Sequence, residues 1–188
     1  MNDETVKSWL RQAGIPKDVF STTLVKSGFA EIREAVTAMD KGELEPILFI
    51  HRELSRTYTY SPNLDLAFYL AAKELVLLGN NVFCCTLADI HTALFRETEE
   101  AEELQSKIAA VADGFIAIRG FQDIGGTAAQ FMTPYESAYF SSWLIGRQQK
   151  EGGIILQGFH PLMNCDNWWP MSLLGYFRSR SVSFGVSA

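Results

Sequence analysis

The chain has 188 residues, 47% of them hydrophobic and 20% charged, which supplies one buried core and is too short for two independent ones. Twenty-two acidic residues against 16 basic ones leave a formal charge of −6, arguing against a free-standing nucleic-acid binder, because phosphate contact needs a surplus of Lys and Arg. Three cysteines, Cys84, Cys85 and Cys165, form no framework spacing and fit a reducing compartment. The opening MNDETVKSWLRQ is polar and is no secretory signal, and no apolar stretch reaches a bilayer's span, so a cytoplasmic protein without membrane contact is expected.

In chain order, Val6, Trp9 and Leu10 share a face of a short helix over residues 3–13, stopped by Gly14 and Pro16. Phe29, Ile32, Val36 and Met39 recur at helical spacing up to Lys41-Gly42. Residues 1–42 thus read as a helical arm, and residues 43–188 as the core. After Pro46, ILFIH is a buried strand, the polar HRELSRTYTYSPN a loop, and LDLAFYLAAKELVLLG a buried helix starting near Pro62. NNVFCCT reads as a second strand, followed by helical ADIHTALFRE and EEAEELQSKIAAVAD. GFIAIRGF is a third strand, TPYESAYFSSWLIGRQQKEG a long helix with Pro134 in its first turn, and GGIILQGF a fourth strand. WPMSLLGYFRS is a helix opened by Pro170, and SVSFGV a final strand. Strands alternating with helices require crossovers, so the expected fold is α/β: a three-layer sandwich around a mostly parallel five-stranded sheet.

In the order and spacing of these pieces, from about residue 9 onward, the chain resembles the DnaC/IstB-like branch of the AAA+ ATPases, the replicative-helicase loaders and their transposon relatives. LRQAGIPKDVFSTTL is similar to the segment before that family's ATPase core. ILFIH and the helix after it look like the first strand, nucleotide loop and following helix, and DGFIAIRGFQDIG sits where a Walker B strand would be. SSWLIGRQQKEGGIILQGF matches the long helix and sensor strand, and LLGYFRSRSVSFGV the arginine-bearing helix and last strand. The resemblance implies a P-loop NTPase-like core, here without a C-terminal lid.

The nucleotide motifs depart from that pattern. A Walker A loop needs glycines that turn backbone N–H groups toward the phosphates, a Lys, and a Ser/Thr for Mg²⁺. HRELSRTYTYSPNLD contains neither Gly nor Lys; Arg52, Arg56 and Thr57 are its degenerate nucleotide-site positions. At the Walker B acids stand Arg119 and Gly120, with Asp123 three residues beyond Gly120 reading as a loop or cap residue. At the sensor strand the chain reads Gln157-Gly158-Phe159-His160. Arg178 and Arg180 are the positions most similar to the family's arginine finger, or else cations complementing a helix C-terminus.

His51, His91 and His160 lack metal-ligand spacing, adjacent Cys84 and Cys85 read as strand packing, and GGTAAQ reads as a linker. In NCDNWWPM, one of Trp168 and Trp169 is expected in the core and the other at an interface, with Trp9 a further interaction candidate. The leading expectation is a pseudo-ATPase with no catalytic residue, cofactor or metal: a protein-interaction module accessory to helicase loading. Its partner would be a replicative helicase, a loader paralogue or another copy of itself as a homo-oligomer. Two alternatives remain: an ATPase with a rearranged loop using Arg52 or Arg56 with Asp123, and a weak single-stranded DNA contact. The latter would use Arg147, Lys150, Arg178, Arg180 and a tryptophan.

Overall fold

The computed structural model describes residues 3–52, 62–122, 132–149, 152–158 and 169–186. Within them, α1 (Asp3–Gln12), a 3₁₀ turn (Lys17–Val19) and α2 (Ala30–Asp40) precede β1 (Ile47–Arg52) and α3 (Pro62–Leu77). β2 (Val82–Thr86), α4 (Leu87–Phe95), α5 (Glu99–Ala109), β3 (Phe115–Gln122), α6 (Pro134–Gln149), β4 (Gly153–Gly158), α7 (Met171–Arg180) and β5 (Val182–Val186) follow. The strands form one sheet in the order β2-β3-β4-β1-β5, and every recorded pairing is parallel.

β1 is uninterruptedly apolar because both of its faces are covered, as in parallel sheets generally: Ile47, Leu48, Phe49 and Ile50 are all fully buried. Strand alternation sends Leu48 and Ile50 to the side covered by α1, α2 and α3, and Ile47 and Phe49 to the side covered by α4, α6 and α7. The segment before residue 43 belongs to the first of these layers through Leu10, Val19, Leu24, Ile32, Val36 and Met39. Gly14, at φ +77°, brings the turn after α1 against β2, where an added Cβ would stand 3.0 Å from the Cys84 carbonyl oxygen. The Ala13 carbonyl accepts the Cys84 N–H at 2.8 Å, so the turn caps part of the open edge of β2.

Two buried cations serve the architecture. Lys73 of α3 donates from Nζ to the carbonyls of Val19, Phe20 and Thr22 at 3.2, 2.5 and 2.7 Å, clasping the N-terminal segment. Burial pulls its pKa below the usual lysine value. Arg147 of α6 donates Nη2 to the carbonyls of Val111 and Gly114, the latter at 3.1 Å, which removes this guanidinium from the expected DNA-contact set. Its aliphatic periodicity in a long helix does not distinguish a core-facing arginine from a surface one; only the position of the α5–β3 turn does.

The sheet is wholly parallel rather than mostly so, and β3 runs past the expected strand to Gln122. The extension is made by a break in register between Ile118 and Gln122, with Gly120 at φ +73° inside it. The predicted helix over 99–113 ends at Ala109 and is started by Thr98, whose side chain accepts the Ala101 N–H at 3.1 Å. Cys84 and Cys85 lie in β2 as expected, and burial raises both thiols, Cys84 to about 12.

Candidate functional site

In a parallel α/β sheet, ligands are met at the carboxyl ends of the strands, where helix N-termini converge. Here the ends of β3 and β4 face the first turns of α3, and three polar side chains meet there. Gln157, 5% exposed, donates Nε2 to Oδ1 of Asp65 in α3. Its Oε1 accepts the N–H of Gly120 at 3.1 Å, an orientation made available by the irregular stretch of β3. Arg119 holds Nη1 3.5 Å from Oδ2 of the same Asp65 and stands over the Tyr69 ring, 5.9 Å from its centroid. Burial raises the Tyr69 phenol above its ordinary pKa while the Arg119 charge opposes the shift.

Two positions read as degenerate, Arg119 and Gln157, are thus joined by a residue that sequence reasoning missed. Asp65 carried a signal: an acidic side chain near the start of the helix that follows the nucleotide loop, where a helix dipole favours negative charge. In P-loop NTPases that region supplies a Ser/Thr to Mg²⁺ and the Walker B strand supplies an acid. Here the acid is on the helix and the cation is on the strand, with opposite charges already in contact. Bound ATP–Mg²⁺ does not fit this set. A triphosphate would meet the Asp65 carboxylate, and Arg119 offers a metal no lone pair. The loop that would carry phosphate contacts, with Arg56 and Thr57, lies outside the described residues, as does Asp123.

The remaining candidates are dispersed. Arg52 is buried at the end of β1. Arg180, in the last turn of α7, pairs with Glu45 at 3.2 Å and stands 5.1 Å from the Tyr176 ring centroid; Arg178 is exposed. Trp169 is the core member of the Trp168–Trp169 pair, one of which is expected to be buried. It is 3% exposed, stacks on Phe121 at 4.6 Å and donates its indole N–H to the Phe121 carbonyl at 3.1 Å. Trp168, Lys150, His160 and Cys165 lie outside the described residues. Trp9 keeps 40% exposure. His91 approaches Glu136 at 3.3 Å, and His51 stacks on Phe49. Glu136 closes a reciprocal cap with Thr133, and those hydrogen bonds hold its carboxyl below the ordinary glutamate pKa. Among the described residues, no group of three or more His, Cys, Asp or Glu side chains is arranged to hold a metal ion, and no helix is long and apolar enough to cross a membrane.

No protein-family model matches the sequence, and no curated protein matches it either. Solved structures do. The replication initiator DnaA bound to AMPPCP and single-stranded DNA superposes with a TM-score of 0.57 at 16% identity over 83% of this chain. AMPPCP-bound DnaA from Aquifex aeolicus gives 0.58 at 14% identity over 84%, and a DNA replication initiation factor gives 0.56 at 14% over 84%. This chain spans 45% of the length of each of the three. With its parallel sheet in the order β2-β3-β4-β1-β5 and helices on both faces, the chain has the α/β fold of the AAA+ P-loop NTPase domains found in DnaA.

Proposed function

We propose that this chain is a non-catalytic AAA+-like module that binds a protein partner as an accessory or regulator of DNA replication, around helicase loading. The observation that carries the non-catalytic part is the Asp65–Arg119–Gln157 assembly, which puts an ion pair where nucleotide chemistry needs an open anion site and a metal-binding acid. The glycine-free, lysine-free sequence of the preceding loop supports the same reading. The replication context rests on likeness to initiators at 14–16% identity, and the partner class, helicase, loader paralogue or second copy, rests on the resemblance to loaders.

Titration with a fluorescent ATP analogue in the presence of Mg²⁺ tests this. The expected result is no saturation below millimolar concentration. Saturable micromolar binding would overturn the reading and return the chain to the nucleotide-driven loaders. A single-stranded DNA contact is the second reading, favoured by the DNA bound to one DnaA neighbour and by the exposed Arg178. It requires an affinity that falls steeply with salt, and binding that is flat between low and moderate salt removes it.

A further inference from the structure

The open sheet has two outer strands, β2 and β5, and the outward backbone groups of such strands can pair with any extended chain. In β2 the register fixes which groups those are. The Asn81 carbonyl accepts the Phe115 N–H at 2.8 Å and Val82 stands opposite Phe115, so Asn81, Phe83 and Cys85 turn their N–H and C=O groups toward β3. Val82, Cys84 and Thr86 therefore turn theirs outward. The strand, VFCCT, carries neither charge nor proline, two of the devices that blunt an edge. Its protection comes from elsewhere in the chain. The Asp89 carboxylate accepts the Thr86 N–H at 2.7 Å as part of the cap of α4, and the Ala13 carbonyl accepts the Cys84 N–H at 2.8 Å.

The turn that delivers Ala13 is specified locally. α1 closes with the two bonds of a Schellman motif, the Ile15 N–H to the Leu10 carbonyl and the Gly14 N–H to the Arg11 carbonyl, each at 3.0 Å. That closure needs a left-handed residue, and Gly14 supplies it at φ +77°. The same glycine lets the turn lie against β2, since a Cβ there would stand 3.0 Å from the Cys84 carbonyl oxygen. Beyond the turn the chain is fastened a second time. Ile15, Val19 and Leu24 are buried in the layer that contains α3, and the ammonium of Lys73, a residue only 6% exposed, holds the carbonyls of Val19, Phe20 and Thr22. An ammonium with three carbonyl acceptors adds direction to apolar burial, which has none of its own.

We propose that the segment from Ala13 to Thr22 is a guard strap for the edge of β2, seated by Gly14 and fastened by Lys73, that keeps this strand from pairing with the β2 of a second copy. With the strap displaced, two identical uncharged strands can meet antiparallel across a two-fold axis, with outward N–H and C=O groups on both and no like charges to hold them apart. The inference uses none of Asp65, Arg119 and Gln157, so it is independent of the nucleotide-site reading.

The test is hydrogen exchange and sedimentation velocity on the full chain under reducing conditions, comparing wild type with Gly14→Val and Lys73→Met. Far-UV spectra check that each variant folds. Gly14→Val drives the turn off β2, and Lys73→Met loosens the strap from its other end, so either folded variant reports. The Cys84 amide, which bonds the strap, is expected to exchange at least about tenfold faster than in wild type, while the Phe83 amide, turned toward β3, changes by less than about twofold. Both variants should self-associate more than wild type as concentration rises. Adding Val82→Pro removes an outward N–H at the first residue of an outer strand, where proline is tolerated, and should restore the wild-type sedimentation. Wild-type exchange at Cys84 in the folded variants, faster exchange without added self-association, or association that Val82→Pro leaves intact would overturn the proposal. So would loss of folding in both variants, because the segment would then be core rather than strap. None of these outcomes alters the ATP titration, so the two readings fail separately.

Discussion

At the carboxyl ends of the strands, the polar groups of this protein satisfy one another: Asp65 takes Gln157 and Arg119, and Gln157 also takes the Gly120 amide. At the amino end of β2, the closing turns of α1, α3 and α5 instead line an open cavity with Trp9 at its side. In a P-loop enzyme the first edge is the open one, because chemistry needs a vacant cradle. Here Asp65, Arg119 and Gln157 contact one another at that end, while an open cavity lies at the other. The comparison teaches that a fold can keep its layers and strand order while the side chains at its strand ends differ, because packing and site chemistry are carried by different residues.

Trp169→Ala would break the first edge most severely. The indole is buried against Phe121 and Phe140, at centroid distances of 4.6 and 5.2 Å, and its N–H bonds the last turn of β3. A loss of about 3–5 kcal/mol is expected in denaturant unfolding, the range for removing a large buried aromatic. A loss below ~1 kcal/mol would mean that the end of β3 is held by other contacts.

The second edge is probed by pH. The thiols of Cys84 and Cys85, on the strand capped by the turn after α1, are raised by burial, Cys84 to about 12 from an ordinary 9.0. A raised folded-state pKa means that the unfolded chain ionises first. Stability is therefore undiminished below pH 9 and is lost as the pH rises toward the folded value, by up to about 1.4 kcal/mol per pH unit for each thiol. Cys85 is the less solvent-exposed of the two. Urea melts across this alkaline range check the slope, and a Cys85→Ala variant should flatten it. A slope unchanged by that substitution would show that other groups set the alkaline limit.

The smallest expected effect is the coupling between Asp65 and Arg119. Their side chains are 23% and 39% exposed, so water screens the pair, and a double-mutant cycle with Asp65→Asn and Arg119→Gln should give less than about 1 kcal/mol. The measurement sharpens the comparison because, under the proposed function, the pair occupies the site rather than stabilising the fold. A coupling of several kcal/mol would recast it as a structural clasp like that of Lys73.

The layers of this protein were legible from its sequence because burial leaves a period. The unbroken ILFI run marks a strand covered on both faces, and Leu and Ala residues through 64–78 mark a helix buried along most of its length. Arg119 and Gln157 were legible as candidate positions through the resemblance alone, since order and spacing mark them. Asp65 was not, because an acid near a helix start serves most often as a local electrostatic complement. Its function here comes from partners 54 and 92 residues away.

Arg147 and Trp169 show the same limit from the opposite direction. Composition marks Arg147 as a candidate DNA contact and leaves open which of Trp168 and Trp169 faces the core; the fold buries Arg147 and Trp169. The sequence by itself determined the elements, their order and the absence of glycine between β1 and α3, because these depend on local period and on the residue types themselves. Tertiary structure decided which charges neutralise each other, which aromatic ring stays in contact with solvent, and which edge of the sheet stays open. Those outcomes depend on distances between residues far apart in the chain, and distance is a property of the packed molecule.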